Sequence, residues 1–240
     1  MVQLFNRFAT YNGSSPYKTP GMMTLVQHLE QEYGTYVSDK GMNNITKSLY
    51  DLALRQGIDF KFNSFVSQIL VSGKRAIGVS VGEESYSSDI VVSNMDIVPT
   101  YRNLLKNHYQ PEKTLSQERS SSALIFYWGI NKEFKNLDLH NIFFSNDYKK
   151  EFQSIFEKKS IFSDPTVYIN ITSKDVKGDA PDNCENWFVM INSPNDSGQD
   201  WDNMIDEVKS NILKKINRLL NIELEDYIEY EKIYTPKTIE

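Results

Sequence analysis

Apolar residues along this chain fall into two helical stretches, a run of short strands, and a second half in which strands and helices alternate. Over residues 42–56 the side chains of Met42, Ile45, Leu49, Leu52 and Ala53 recur at helical spacing, and Gly57 stands where such a helix would stop. Residues 21–33 repeat the pattern with Met22, Leu25, Val26 and Leu29 on one face and Gly34 just beyond. A shorter helix is predicted at 4–9, broken by the turn formers Asn12-Gly13-Ser14-Ser15-Pro16. Residues 35–37, 58–62, 65–70 and 76–81 read as strands, the last two joined through Ser72-Gly73-Lys74 as a hairpin, and another short strand begins at Tyr86. Ile90-Val91-Val92 is apolar throughout, the pattern of a buried strand.

Beyond residue 97 the elements lengthen. A helix near 98–107 leads to strands at 123–130, 141–144, 166–172, 187–192 and 227–234, separated by amphipathic helices at 147–158 and 201–221. The last helix carries Trp201, Ile205, Val208, Ile212, Ile216, Leu219 and Leu220 on one stripe, with Asp200 in the N-cap position. The first half reads as mixed α/β and the second as an α+β layer, a sheet with helices on it.

Composition narrows the function classes. The chain has 240 residues and a net charge of −6, and no basic block, so phosphate recognition by clustered Lys and Arg, and with it nucleic-acid binding, is not expected. Its Lys pairs, among them Lys214-Lys215, read as solvated helix faces. One cysteine, Cys184, leaves no intrachain disulfide and reads as a packed bystander. No apolar run approaches the ~18 residues of a membrane span, and the first residues are not a signal peptide, so a cytoplasmic location is expected. Aromatic residues reach 12%, many of them on predicted strands, which suits a core or a pocket for a long apolar ligand.

A search for catalytic patterns returns little. His28, His108 and His140 stand far apart with no carboxylate at metal-ligand spacing, so no metal is expected. Asp147, Glu151, Asp175, Asp179, Glu223 and Glu225 read as solvated acids. No two of the eleven glycines are separated by a single residue, so the Gly-x-Gly-x-x-Gly turn that cradles a dinucleotide pyrophosphate does not occur. Catalytic residues stay unassigned.

Several stretches together do carry a resemblance. They are the run from Leu4 through Asn6-Arg7-Phe8-Ala9-Thr10-Tyr11 to Tyr17, Lys40-Gly41-Met42 with its helix, and Asp89-Ile90-Val91-Val92-Ser93-Asn94-Met95-Asp96. Further on come Tyr127-Trp128-Gly129, Asn141-Ile142-Phe143-Phe144-Ser145, Asp164-Pro165-Thr166-Val167-Tyr168-Ile169-Asn170 and Cys184-Glu185-Asn186-Trp187-Phe188. In this order they resemble the phytoene desaturase family of carotenoid desaturases, which are FAD-dependent, amine-oxidase-like flavoproteins. One departure is local: the family commonly has Gly-Gly-Met where this chain has Lys40-Gly41-Met42.

The resemblance implies a partial FAD-binding Rossmann-like domain plus a substrate domain with a mixed β-sheet covered by helices. Residues 1–34 and 97–240 would belong to the substrate domain and 35–96 to the middle of the flavin domain. The glycine fingerprint and the C-terminal glycine-rich flavin segment would lie outside this chain, which is then expected to be an inactive central fragment when alone. Carried over by position, Val66 would offer its backbone to the flavin's adenine, Gly41 and Met42 would line the ring, and Arg7 and Tyr11 would sit near the flavin–substrate junction. The implied reaction is desaturation of a long polyene, a carotenoid, by hydride transfer to flavin, with peripheral membrane contact. The aromatic strands 126–128, 142–144, 168–169 and 187–190 are candidates for the polyene's wall, and strand alternation lets at most half of their side chains face it. A second reading, a non-catalytic module binding an apolar ligand or a partner, rests on the same aromatic strands.

Overall fold

The helical spacing near the N-terminus yields helices whose apolar stripes find nothing to cover them. In the computed structural model, which describes residues 2–239, α1 (Val2–Asn6) runs into a 3-10 stretch, Arg7–Asn12. It ends at Gly13, held at φ 59°, where an added Cβ would lie 2.7 Å from the Cβ of Ser120. The Gly13 carbonyl accepts from the Ser121 amide at 2.8 Å, which ties this segment to the strand beginning at Ser122. Helices α2 (Thr24–Tyr33) and α3 (Asn43–Arg55) follow the predicted bounds closely, yet neither buries a residue. Met22, Leu25 and Leu29, and then Ile45, Leu49 and Leu52, stay exposed. Local spacing forms an amphipathic helix; burial needs an opposing surface.

Next come β1 (Val66–Ser72), β2 (Arg75–Val81) and β3 (Glu84–Ser87), an antiparallel three-stranded sheet in the order β1-β2-β3. Three strand expectations fail here. Residues 35–37 and 58–62 are irregular, and around the latter Phe60 and Phe62 stack on each other and pack at a tilt against Tyr50, at centroid distances of 4.6–5.9 Å, instead of pairing with a strand. Ile90-Val91-Val92 forms no strand either, and Ile90 and Val92 are 76% and 85% exposed. A fully apolar strand needs neighbours on both sides, and the sheet ends at β3. Helix α4 (Ile97–Pro99), a π-helical turn over Thr100–Leu104, and α5 (Glu112–Leu115) follow.

The second half matches its pattern. β4 (Ser122–Ile130), β5 (His140–Phe143), β6 (Val167–Asn170), β7 (Glu185–Ser193) and β8 (Ile228–Tyr234) form a sheet in the order β5-β6-β7-β4-β8. Every strand pair among the described residues is antiparallel. Helices α6 (Tyr148–Phe156), α7 (Trp201–Leu220) and α8 (Pro236–Ile239) complete it. The Asp200 side chain caps α7 by accepting from the Asn203 amide at 3.3 Å.

The chain divides into two compact units, one of residues 1–47 and 119–240 and the other of residues 48–118. The first unit holds the main core, in which Leu124, Phe126 and Trp128 of β4 and Val189 and Ile191 of β7 pack with Val208, Ile212 and Ile216 of α7.

Candidate functional site

Strand alternation gives the five-stranded sheet two unlike faces. Even-numbered residues of β4 and odd-numbered residues of β7 point into the α7 core, so Phe126, Trp128 and Trp187 are core residues and leave the list of candidate wall residues. The opposite face carries Ile125, Tyr127 and Gly129 of β4, Phe188, Met190 and Asn192 of β7, Tyr168 of β6, Ile142 of β5, and Tyr230 and Tyr234 of β8. An antiparallel sheet with a free face normally makes that face polar. Here it is mainly aromatic, with the exposed Lys232 of β8 opposite Tyr127 and over the Tyr234 ring at 5.0 Å.

The rings form one connected row. Tyr127 lies 5.7 Å from Tyr234 and 5.3 Å from Phe188, and Phe188 lies 6.3 Å from Tyr168, all edge to face. Tyr168 in turn stacks on His140 at 6.0 Å and shares a 2.7 Å hydrogen bond with its Nδ1. The row thus crosses β8, β4, β7, β6 and β5. Tyr127 and Tyr230 are 42% and 60% exposed although they are large and partly apolar. Between them runs a mainly apolar groove of about 410 Å³, bordered by Gly129, Phe188 and Tyr230. Gly129 keeps this floor low, because a Cβ there would stand 3.1 Å from the Tyr230 Cβ.

Toward the other end of β7 the face closes into a cavity of about 240 Å³, lined by Arg7, Thr10 and Tyr11 from the 3-10 stretch, Tyr148 of α6, Thr166, Tyr168, Ile142, Met190 and Asn192. Tyr168 belongs to both row and cavity, so the two are continuous. Asn186 and Asn192, near the two ends of the face, are six residues apart on β7, which sets the length of this surface at roughly 20 Å. Tyr148 is 3% exposed; burial first, and then the negative charge of Glu151, hold its hydroxyl in the protonated form.

Behind the cavity wall stand two charges that the sequence placed on solvated surface. Glu151 is 1% exposed, and its carboxylate accepts from the Thr166 amide at 3.0 Å and the Thr166 hydroxyl at 2.7 Å. Burial pushes its pKa up to about 6 against the opposing pull of those hydrogen bonds and of Lys215. Lys215 is buried on α7, paired with Asp164 at 2.8 Å and donating to the Phe144 and Pro165 carbonyls at 3.0 and 2.5 Å. Both residues are turned inward on their helices, against the segment that enters β6, which composition cannot reveal. For Lys215 a signal existed: it lies three residues from Ile212 and one from Ile216, inside the apolar stripe.

Of the residues singled out from the sequence, Arg7 and Tyr11 meet in this cavity. The Tyr11 hydroxyl donates to Glu30 Oε1 at 2.9 Å. Gly41 and Met42 precede α3, with Met42 exposed, and line neither the cavity nor the groove. Val66 opens β1, an edge strand of the other unit, and is half-buried. Sequence reasoning missed Tyr148 and Asn192, neither of which belongs to a catalytic motif, and met Gly129 only inside the Tyr127-Trp128-Gly129 stretch without a role of its own.

A dinucleotide pyrophosphate requires backbone amides on a glycine-rich turn that leads from a strand into a helix. Among the described residues no strand does so: Gly73 turns the β1–β2 hairpin and Gly82 the β2–β3 hairpin. The described residues do not fit that group. No helix among them is long and apolar enough to cross a membrane.

Comparison with known proteins places these features. No family model matches. The chain is 56% identical over 238 residues to the 1-hydroxycarotenoid 3,4-desaturase of Flavobacterium sp. (strain P99-3), covering 99% of this chain and 49% of the relative. It is 30% identical over 261 residues to the phytoene desaturase of Fusarium fujikuroi, covering 98% of this chain and 46% of that protein. The 4,4'-diaponeurosporene oxygenase of Staphylococcus haemolyticus (strain JCSC1435) is 30% identical over 239 residues, at 97% and 47%. The chain therefore spans about half the length of the curated relatives it matches. A crystal structure of an oxidoreductase from Methanosarcina mazei superposes with a TM-score of 0.66 over 97% of this chain and 52% of its own, at 12% identity, which bears on the fold alone.

Proposed function

Since this chain belongs to the carotenoid desaturase family along nearly its whole length, we propose that it supplies the polyene-binding wall of an FAD-dependent carotenoid desaturase. The observation that carries this reading is the aromatic row Tyr234–Tyr127–Phe188–Tyr168 on the free face of the sheet. The core needs none of these rings, since it is complete on the α7 side. A flat conjugated chain lying across the row gains aromatic contact and loses water, and a groove with few polar groups leaves its register to the ends.

Desaturation removes two hydrogens from adjacent carbons. What these residues contribute to that reaction is a surface that holds the chain extended and dry. The pyrophosphate of FAD would be held by polypeptide other than the described residues, with Arg7 and Tyr11 at the junction, the Val66 backbone offered to the adenine, and Gly41 and Met42 beside the ring in the complete protein. The relative at 56% identity is named for a 1-hydroxylated polyene and its 3,4 bond, so a hydroxylated acyclic polyene is the substrate class favoured here. Such a molecule dissolves in bilayers, and peripheral contact with a membrane is part of the same proposal.

The test is co-elution. The purified chain is mixed with an acyclic polyene in detergent micelles and run on gel filtration, with polyene absorbance followed in the protein peak. Co-elution that falls at least severalfold in a Tyr127→Ala, Phe188→Ala double variant supports the reading. Absence of co-elution, or equal co-elution by that variant, overturns it.

A further inference from the structure

The cavity beside the aromatic row is more polar than a hydrocarbon end requires, and nearly all of its polar side chains are already engaged. Thr10 donates its hydroxyl to the Arg7 carbonyl at 2.6 Å, and Tyr11 donates to Glu30. Thr166 is held by Glu151 and by the Ser145 amide, and Tyr168 by His140. Besides the Arg7 guanidinium, which lies over the Phe8 ring at 5.4 Å, two neutral groups are left over. The Tyr148 hydroxyl belongs to a side chain only 3% exposed, lines the cavity, and has no hydrogen-bond partner among the described residues. The Asn192 carboxamide, on β7 two residues beyond Met190, lines the same cavity and also has none among the described residues.

The Tyr148 ring is buried while its hydroxyl stays accessible from the cavity, so it is a polar group presented to whatever fills that space, and phenylalanine at 148 would keep the packing without it. Polar groups that line one cavity and have no protein partner are free to bond a ligand that enters it. The two groups are complementary to an alcohol. An alcohol oxygen accepts from a phenol O–H while its own proton goes to a carboxamide oxygen, and a carboxamide can equally donate to it.

We propose that this cavity reads the hydroxyl of a hydroxylated polyene end, with the Tyr148 hydroxyl and the Asn192 carboxamide as the specificity-determining partners. This inference rests on the reading that the aromatic face binds a polyene. The chain of the ligand lies along Tyr168, Phe188 and Tyr127, and its polar end turns into the cavity past Met190. A hydrocarbon end entering the same cavity leaves both groups unpaired. An alcohol end pairs both. Discrimination therefore comes from the groups a hydrocarbon would strand, which is how a site rejects an analogue that lacks a hydroxyl.

The experiment compares an acyclic polyene bearing a terminal alcohol with the hydrocarbon that differs only in lacking it, each titrated against the full 240-residue chain in detergent with aromatic fluorescence quenching as readout. The wild type is expected to favour the alcohol about tenfold, the scale of one or two net hydrogen bonds. In Tyr148→Phe, which keeps the ring and its packing, and in Asn192→Leu, which keeps the branched shape without the polar atoms, that ratio should fall toward one. Equal binding of the two ligands by the wild type, or a preference that survives both variants, overturns the inference while leaving the aromatic face as a polyene site. Binding of neither ligand overturns the reading of the face itself and this inference with it.

Discussion

Tyr127 and Phe188 are direct partners across β4 and β7, and their rings meet edge to face at 5.3 Å on the side of the sheet that α7 does not cover. One residue earlier on β4, Phe126 is fully buried in the core. Adjacent positions on one strand thus serve different purposes.

That contrast separates stability from binding. Tyr127→Ala should cost about 1 kcal/mol or less, the worth of an exposed aromatic pair, while reducing polyene co-elution severalfold. Phe126→Ala should cost ~3–5 kcal/mol, because it opens a cavity in packed core. Urea titrations of the two variants give the comparison, and equal losses would contradict the assignment of the two faces.

Glu151 predicts a pH dependence. Its folded pKa, raised to about 6, lies above the ordinary value of 4.5, so between those values the folded state binds more protons than the unfolded. Stability from this group is present below about pH 4.5 and is lost as pH rises through about 6, an effect of ~2 kcal/mol. In Glu151→Gln the carboxylate's two acceptors for Thr166 become one, so its baseline stability should fall. The difference in unfolding free energy between wild type and variant, measured from pH 4.5 to 7, should nevertheless shift against the wild type by that amount.

Lys215 and Lys214 are neighbours in sequence with opposite roles. Lys215→Met would leave the Phe144 and Pro165 carbonyls without their donor and Asp164 without its cation, at a cost of ~3 kcal/mol. Lys214 is exposed, and Lys214→Met should stay within about 0.5 kcal/mol of wild type. Removing the Lys215 charge should also move the Glu151 titration further upward, since that charge helps to hold it down.

The exposed apolar segment at Ile90 and Val92 gives a prediction about surface. The double change Ile90→Ser, Val92→Ser should leave the melting temperature near that of the wild type while lowering binding of an environment-sensitive dye and slowing aggregation. A large drop in melting temperature would show that these side chains support the fold.

The absence of a pyrophosphate cradle among the described residues predicts that the purified chain carries no flavin. A flavin absorbance spectrum after purification and extensive dialysis would overturn this.

The sequence by itself determined which segments become helices and long strands in the second half, because periods of 3.6 and 2.0 report the local geometry of the backbone. It also supplied the resemblance through Arg7, Tyr11 and the strands around Tyr127, Tyr168 and Phe188. It misread Ile90-Val91-Val92, whose apolar run encodes a preference for burial but not the neighbours that would provide it. Tertiary structure decided three further things: which alternate residues of each strand form the core and which form the aromatic row, that Glu151 and Lys215 are buried against the segment entering β6 rather than on the surface, and that Tyr148 and Asn192 share one cavity although 44 positions apart. These depend on strand register and on the sides from which the helices pack, and both are fixed only when distant segments meet.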